Sequence, residues 1–140
     1  MAINQLSPYL NFDGTADKAI QLYERALGAK VEHLQRFADI PGAKPDPQNG
    51  QRVMHASLRI SSGTIMISDT QPGMVCAAGN NVHVCLEFGE PDEMGGKFDA
   101  LAAGGKVTMP LQDTFWGARF GMLTDAFGIN WMFNAQLKRP

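Results

Sequence analysis

Along the chain, apolar positions alternate every second residue, then recur every third and fourth, then alternate again, and this order of periods occurs twice. In the first half Leu10 and Phe12 alternate with Tyr9 and Asn11, the pattern of a half-buried strand. Ala19, Ile20, Tyr23, Ala26 and Leu27 then share one helical face. Thr15 stands at the expected N-cap, and Gly28 where a left-handed C-terminal cap is wanted. Strand-like runs follow at Val31–Phe37, Val53–Ile60 and Thr64–Ser68. In the second half Leu86 and Phe88 lead into a helix with Pro91 in its first turn, a face of Met94, Phe98, Leu101 and Ala102, and Gly104 as cap. Gly95-Gly96 weakens that helix by roughly 1 kcal/mol per residue relative to Ala. Strand-like runs at Val107–Met109, Trp116–Thr124 and Ile129–Asn134 complete the half. In each half the last two strands are joined by a turn ending in glycine, Gly63 and Gly128.

The two halves align without a gap at an offset of 107 − 31 = 76 residues over 10–31 and 86–107. Leu10/Leu86, Phe12/Phe88, Ala26/Ala102, Gly28/Gly104, Lys30/Lys106 and Val31/Val107 are identical across that offset. The pattern predicts an α+β protein of tandem βαβββ modules. Module one spans 1–68, a linker 69–82, and module two 83–140, together one structural domain. Within module one, the Pro/Gly-rich segment 38–52 reads either as a lid or as a flexible excursion.

Composition narrows the function classes. A net charge of −2 with no basic run lacks the electrostatic footprint of a nucleic-acid binder. No apolar run approaches the roughly 20 residues needed to span a bilayer, so no membrane partner is expected. The start of the chain has neither a basic n-region nor a long apolar h-region, which makes the cytoplasm the expected location. Cys76 and Cys85 form no C-x-x-C pair and no disulfide framework. No nucleophile elbow, Walker loop, H-E-x-x-H motif or pair of catalytic carboxylates occurs.

The segments LSPYLNF, AIQLYERALGAKV, VMHASLRISSGTIMISD and DTFWGARFGMLTDAFGINWM cover most of the chain. Together they resemble the PhnB-like family of the vicinal-oxygen-chelate superfamily, which includes glyoxalase I, bleomycin-resistance proteins and extradiol dioxygenases. The resemblance implies that the modules form a curved, cup-like mixed sheet with helices on its outer face and a cleft between the modules. It also implies a homodimer. Some members carry an old label, 3-demethylubiquinone methyltransferase-like, yet no strand here is followed by a G-x-G loop that would seat a methyl donor. In metal-binding relatives, two ligands come from first strands and two from last strands. Carried over, the first-strand places fall on Ser7 and His83; counting four past each turn glycine gives Ile67 and Met132. Met132 thus stands where such relatives place a carboxylate. A thioether suits Cu(I) rather than the divalent ions of that chemistry. No metal or other cofactor is therefore expected, with a divalent ion through His83 as the alternative.

Period-two parity sorts the remaining candidates. With Leu10, Phe12, Leu86 and Phe88 toward the helices, Ser7, Tyr9, Asn11, His83, Cys85 and Glu87 face the cleft. So do His55, Ser57 and Arg59, and on the last strand Asn130, Met132 and Asn134. His55 and Glu87 are the catalytic candidates, each as a base; each also reads as an ordinary polar strand residue. Ser7, Tyr9, Asn11, Arg59, His83, Trp116, Arg119, Asn130 and Met132 are the substrate-binding candidates. Arg59 and Arg119 would grip an anion, and Phe115-Trp116 would either stack on a flat ligand or anchor a core or dimer interface. His33 reads as surface, Trp131 as core, and Met54, Met66 and Met122 as packing residues. The resulting expectation is a small-molecule-binding protein of unknown reaction that is not a glyoxalase I. The alternatives are a divalent-metal lyase, isomerase or dioxygenase using His55, His83 and Glu87, and a resistance protein that sequesters a toxic compound.

Overall fold

The computed structural model describes residues 2–137. It divides into two compact units between Ala77 and Ala78, inside the expected linker. The first unit contains β1 (Tyr9–Phe12), α1 (Ala16–Leu27), β2 (Lys30–Arg36), β3 (Val53–Ile60) and β4 (Gly63–Asp69). The second contains β5 (Val84–Phe88), α2 (Met94–Ala102), β6 (Lys106–Asp113), β7 (Ala118–Thr124) and β8 (Asn130–Gln136). Each unit is a mixed four-stranded sheet, ordered β1-β4-β3-β2 in one and β5-β8-β7-β6 in the other. In each, the first strand runs parallel to the last, and the remaining pairs are antiparallel. This is the expected α+β repeat.

One side of each sheet is apolar and covered by its helix. In the first unit Leu10, Phe12, Ala56, Leu58, Ile65 and Ile67 are buried together with Ala19, Ile20, Tyr23 and Ala26 of α1. In the second unit Leu123, Trp131, Phe133 and Ala135 are buried with Met94, Phe98 and Leu101 of α2. Phe133 stacks on Phe88 and meets the edge of Phe98, each at 5.1 Å between ring centres. Trp131 is core, as expected, and its Nε1 donates to Asp125 Oδ2 at 3.0 Å.

Several boundaries differ from the sequence reading. Strand β6 is longer than Val107–Met109 because it is an edge strand, where Pro110 interrupts no central ladder and register shifts absorb it. Strand β7 begins at Ala118; Trp116 sits in the preceding turn, closed by the Thr114 hydroxyl and the Ala118 carbonyl. Ser7 and His83 each lie ahead of their first strands rather than on them. Thr15 occupies the N-cap of α1 without a side-chain bond. The cap comes from across the fold: buried Asp69 at the end of β4 accepts from Ala16 N at 3.0 Å and from Val53 N at 2.9 Å. Gly28 does take the left-handed cap (φ 68°), whereas α2 is capped by Ala103 and Gly104 adopts positive φ one residue later.

The two turn glycines are not equivalent. Ile60 pairs directly with Gly63, so the first turn is Ser61-Ser62 and Gly63 already belongs to β4. Thr124 pairs with Asn130, which leaves Gly128 inside a longer turn with φ 94°. Counting from the glycines therefore shifts the alignment by one residue. Tyr9 pairs with Met66 and its repeat mate Cys85 pairs with Met132, so Met66, not Ile67, matches Met132. Ile67 is fully buried on the helix side, opposite Leu10.

Segment 37–52 is closed at its base. Phe37 N donates to Arg52 O at 3.1 Å and Ala38 N to Gly50 O at 2.9 Å. Arg36 holds Asp17 with two bonds, 2.8 and 3.0 Å, and also donates to Gln51 O. Asp46 organises the tip by accepting from Gln48 N and Asn49 N.

Candidate functional site

The side of each sheet that its own helix leaves uncovered carries the candidate chemistry. On the first sheet, directly paired positions build a row of Tyr9, Met66, Ser57 and His33 across β1, β4, β3 and β2. The next row begins with Asn11 and Ser68 and ends with His55 and Gln35. Tyr9 Oη and His55 Nδ1 are hydrogen-bonded at 3.3 Å, and their rings lie 5.9 Å apart. His33 lies 5.7 Å from His55, centre to centre. The sequence reading put His33 on the surface, which is right, but missed this neighbour. Its only signal was a diagonal cross-strand relation, visible once register is known.

A cavity of about 430 Å³ opens beside these rows, lined by Asn11, Phe37, Met54, Ser68, Asp69, Thr70, Gln71 and Met74. Its polar groups are partly organised: Ser68 Oγ donates to Asn11 Oδ1 at 3.2 Å, and Arg52 donates to Thr70 O at 2.8 Å. Its apolar wall is one aromatic ring and two thioethers, a combination that adapts to ligand shape. Of the predicted substrate-binding residues, only Asn11 lines it.

On the second sheet the corresponding row is Cys85, Met132, Met122 and Met109, paired in order across β5, β8, β7 and β6. Met66 and Met122 belong to these rows on the uncovered sides and are half-buried there, and half-buried Met54 lines the cavity. Glu87 pairs with Asn134, whose Nδ2 donates to both carboxylate oxygens at 3.1 and 2.9 Å. Burial pushes the Cys85 thiol up, and the neighbouring Glu87 charge and hydrogen bond push it further. A thiol held protonated is a poor nucleophile. Trp116 is more than half exposed and meets Phe115 and Phe120 edge-on at 5.0 and 6.3 Å.

Other candidates are engaged elsewhere. Arg59 is paired with Glu32 at 3.0 Å. Arg119 pairs in register with Ala135 and so lies toward the helix side, held by Asp113 at 2.8 Å and Asp92 at 3.7 Å. The Asp113 hydrogen bond raises the Arg119 pKa, and the same bond holds the Asp113 carboxyl below its usual range. Asn130 uses its amide to tether its own unit's approach segment, donating to Gly79 O at 2.8 Å and Val82 O at 3.2 Å and accepting from Thr124 Oγ1. Ser7 accepts from Gln5 Nε2 at 2.6 Å, and His83 is half-buried just before β5.

A family model for the glyoxalase/bleomycin resistance protein/dioxygenase superfamily matches residues 5–133. The chain belongs to this superfamily. Protein YjdN of Escherichia coli K12 is 37% identical over 144 residues, spanning 96% of this chain and 97% of YjdN. The crystal structure of protein PA1353 from Pseudomonas aeruginosa superposes with a TM-score of 0.86 at 37% identity, covering 97% of this chain and all of that one. A PhnB protein from Bacillus cereus shares the fold at a TM-score of 0.79 and 20% identity, over 94% and 99% of the two chains.

For this superfamily member the metal question turns on donor chemistry. With the register corrected, the four carried-over places hold Ser7, His83, Met66 and Met132. That set offers one imidazole, a neutral hydroxyl and two thioethers, with no carboxylate to balance a divalent charge. It does not fit the hard or borderline ion that glyoxalase-type chemistry employs. Among the described residues no group of three or more His, Cys, Asp or Glu side chains converges on a metal position. No helix of the described chain is long and apolar enough to cross a membrane.

Proposed function

We propose that the protein binds a small, partly apolar molecule in the first unit and is not a glyoxalase I. The observation that carries this reading is the cavity of about 430 Å³ whose wall mixes Phe37, Met54 and Met74 with the polar groups of Asn11, Ser68 and Gln71. Its volume lies within the range of small-molecule sites. A glyoxalase would need a metal to stabilise an enediolate and a carboxylate to move the proton. The four places that could hold such a metal supply no carboxylate at all. The Tyr9–His55 pair lies on the same side of the sheet as Asn11, beside the cavity's polar wall.

The protein also forms a homodimer in this reading. Phe115 is 97% exposed and Trp116 59%, which places two large aromatic side chains in water at one turn. Burial against a second copy would remove that apolar surface from solvent.

The test begins with native mass spectrometry of protein purified from cell extract, followed by a thermal-shift screen with extract fractions. A compound bound at one equivalent is expected. Its affinity should fall at least tenfold on Met74→Trp, which adds bulk to the cavity wall, and on Asn11→Ala. Affinity unchanged in both variants contradicts the assignment.

A further inference from the structure

We propose that His33 and His55 together hold a borderline divalent cation, Zn(II) in the first instance, on the uncovered side of the first sheet, with the Tyr9 hydroxyl orienting His55. The site is separate from the four places carried over from metal-binding relatives, which lie ahead of β1 and β5 and on β4 and β8.

Geometry is the first argument. Zn–N bonds of about 2.0–2.1 Å and a further ~1.1 Å from nitrogen to ring centre put two imidazoles on one ion with their centres roughly 5.2–5.5 Å apart. The observed separation is 5.7 Å, within a few tenths of that span, and the rings are tilted by 45° rather than stacked. The pair sits on neighbouring antiparallel strands: His33 is opposite Ser57 and His55 opposite Gln35, so the two histidines are diagonal neighbours. Their strands already hold the two rings at that separation.

Second comes the outer partner. Tyr9 Oη lies 3.3 Å from His55 Nδ1. When Nδ1–H donates to that oxygen, Nε2 is left with the lone pair, and the ring's orientation is fixed. Metal-ligating histidines almost always have such a partner on the other nitrogen. Neutral imidazole is the donor that Zn, Ni and Cu(II) share. Water completes the shell.

Third, the arrangement is specific to one half of the repeat. The positions matching His33 and His55 in the second sheet are Met109 and Phe120, opposite Met122 and Gln112. The second sheet therefore has no imidazole pair. Tyr9 and Asn11 lie two residues apart on the same side of β1, so the ion would sit next to the cavity that Asn11 lines.

Zinc chloride titrated into the full-length, chelator-treated protein near neutral pH, followed by calorimetry and by melting temperature, tests this. One saturable equivalent and a zinc-dependent rise in melting temperature are expected. His33→Ala and His55→Ala should each weaken binding at least tenfold, and the double variant should lose both the heat and the thermal shift. Tyr9→Phe should weaken binding by about tenfold or more, the usual effect of removing an outer partner. His83→Ala should bind as the unaltered protein does. Equal melting temperatures in chelator show that the variants fold; should an alanine variant fail that control, the glutamine variants His33→Gln and His55→Gln replace it. No saturable binding, undiminished binding in the double variant, or loss on His83→Ala alone overturns the proposal. Undiminished binding in Tyr9→Phe overturns the role given to Tyr9. The cavity assignment stands or falls separately, because it is read with Met74→Trp and Asn11→Ala.

Discussion

Asp69 joins two chain segments far apart in sequence, the start of α1 and the start of β3, through one buried carboxylate. Removing it strands two buried N–H donors, each worth about 1–3 kcal/mol when left unpaired. Asp69→Ala is therefore expected to destabilise the protein by about 2–5 kcal/mol in urea unfolding, with Asp69→Asn intermediate because one oxygen remains. A loss under about 0.5 kcal/mol would show that water replaces the carboxylate. The sequence pointed to Thr15 for this task because capping is usually local; a cap supplied from 53 residues away leaves no local trace. Cys85 offers a second residue-scale prediction. Burial and Glu87 raise its thiol pKa, so the folded protein should form thiolate only at higher pH than an ordinary cysteine. Glu87→Gln removes the charge contribution and should shift the alkylation midpoint of the Cys85 peptide to lower pH, measured by mass spectrometry. An unchanged midpoint would contradict the coupling.

At the scale of elements, strand parity carried most of the information in the sequence. Alternation in Tyr9–Phe12 and Asn130–Ala135 sorted buried from exposed side chains correctly, because one face of each sheet meets a helix. Arg119 pairs with Ala135 and so shares the helix side with Gly121 and Leu123. Counting from the turn glycines failed instead: the Ile67/Met66 shift comes from two hairpins of unequal length. Glycines mark a further element-scale constraint. A Cβ on Gly105 would meet the carbonyl oxygen of Thr124 and the backbone of Asp125, the latter at 2.7 Å. A Cβ on Gly121 would meet the side chains of Leu111 at 2.9 Å and Phe98 at 3.0 Å, and Leu111 N at 3.1 Å. Backbone yields less than side-chain ends. Gly105→Ala should cost about 3 kcal/mol and Gly121→Ala about 1–2 kcal/mol, read from chemical denaturation. The reverse order would show that the start of β6 is more pliant than its geometry indicates.

At the scale of the whole molecule, the repeat, the fold class and the superfamily were legible because the punctuation of each module recurs at a constant offset. The candidate site was legible only in part. Tyr9, Asn11 and His55 are brought to one side of the first sheet as parity required, whereas Phe37, Gln71 and Met74 reach the cavity from segments without periodicity. His33 joins them only through cross-strand register. The exposed pair Phe115 and Trp116 gives the homodimer reading a direct check. Phe115→Ser/Trp116→Ser should shift the sedimentation coefficient from dimer to monomer, and an unchanged coefficient would move the interface elsewhere. The account's central claim is that a small molecule occupies the first unit's cavity while the superfamily's metal places have lost their chemistry. A crystal structure of protein purified from extract without chelator, with anomalous data collected, tests it most directly. The account predicts ligand density against Asn11, Ser68 and Met74 and no anomalous peak at His83; a divalent ion coordinated by His83 with the cavity empty would contradict it.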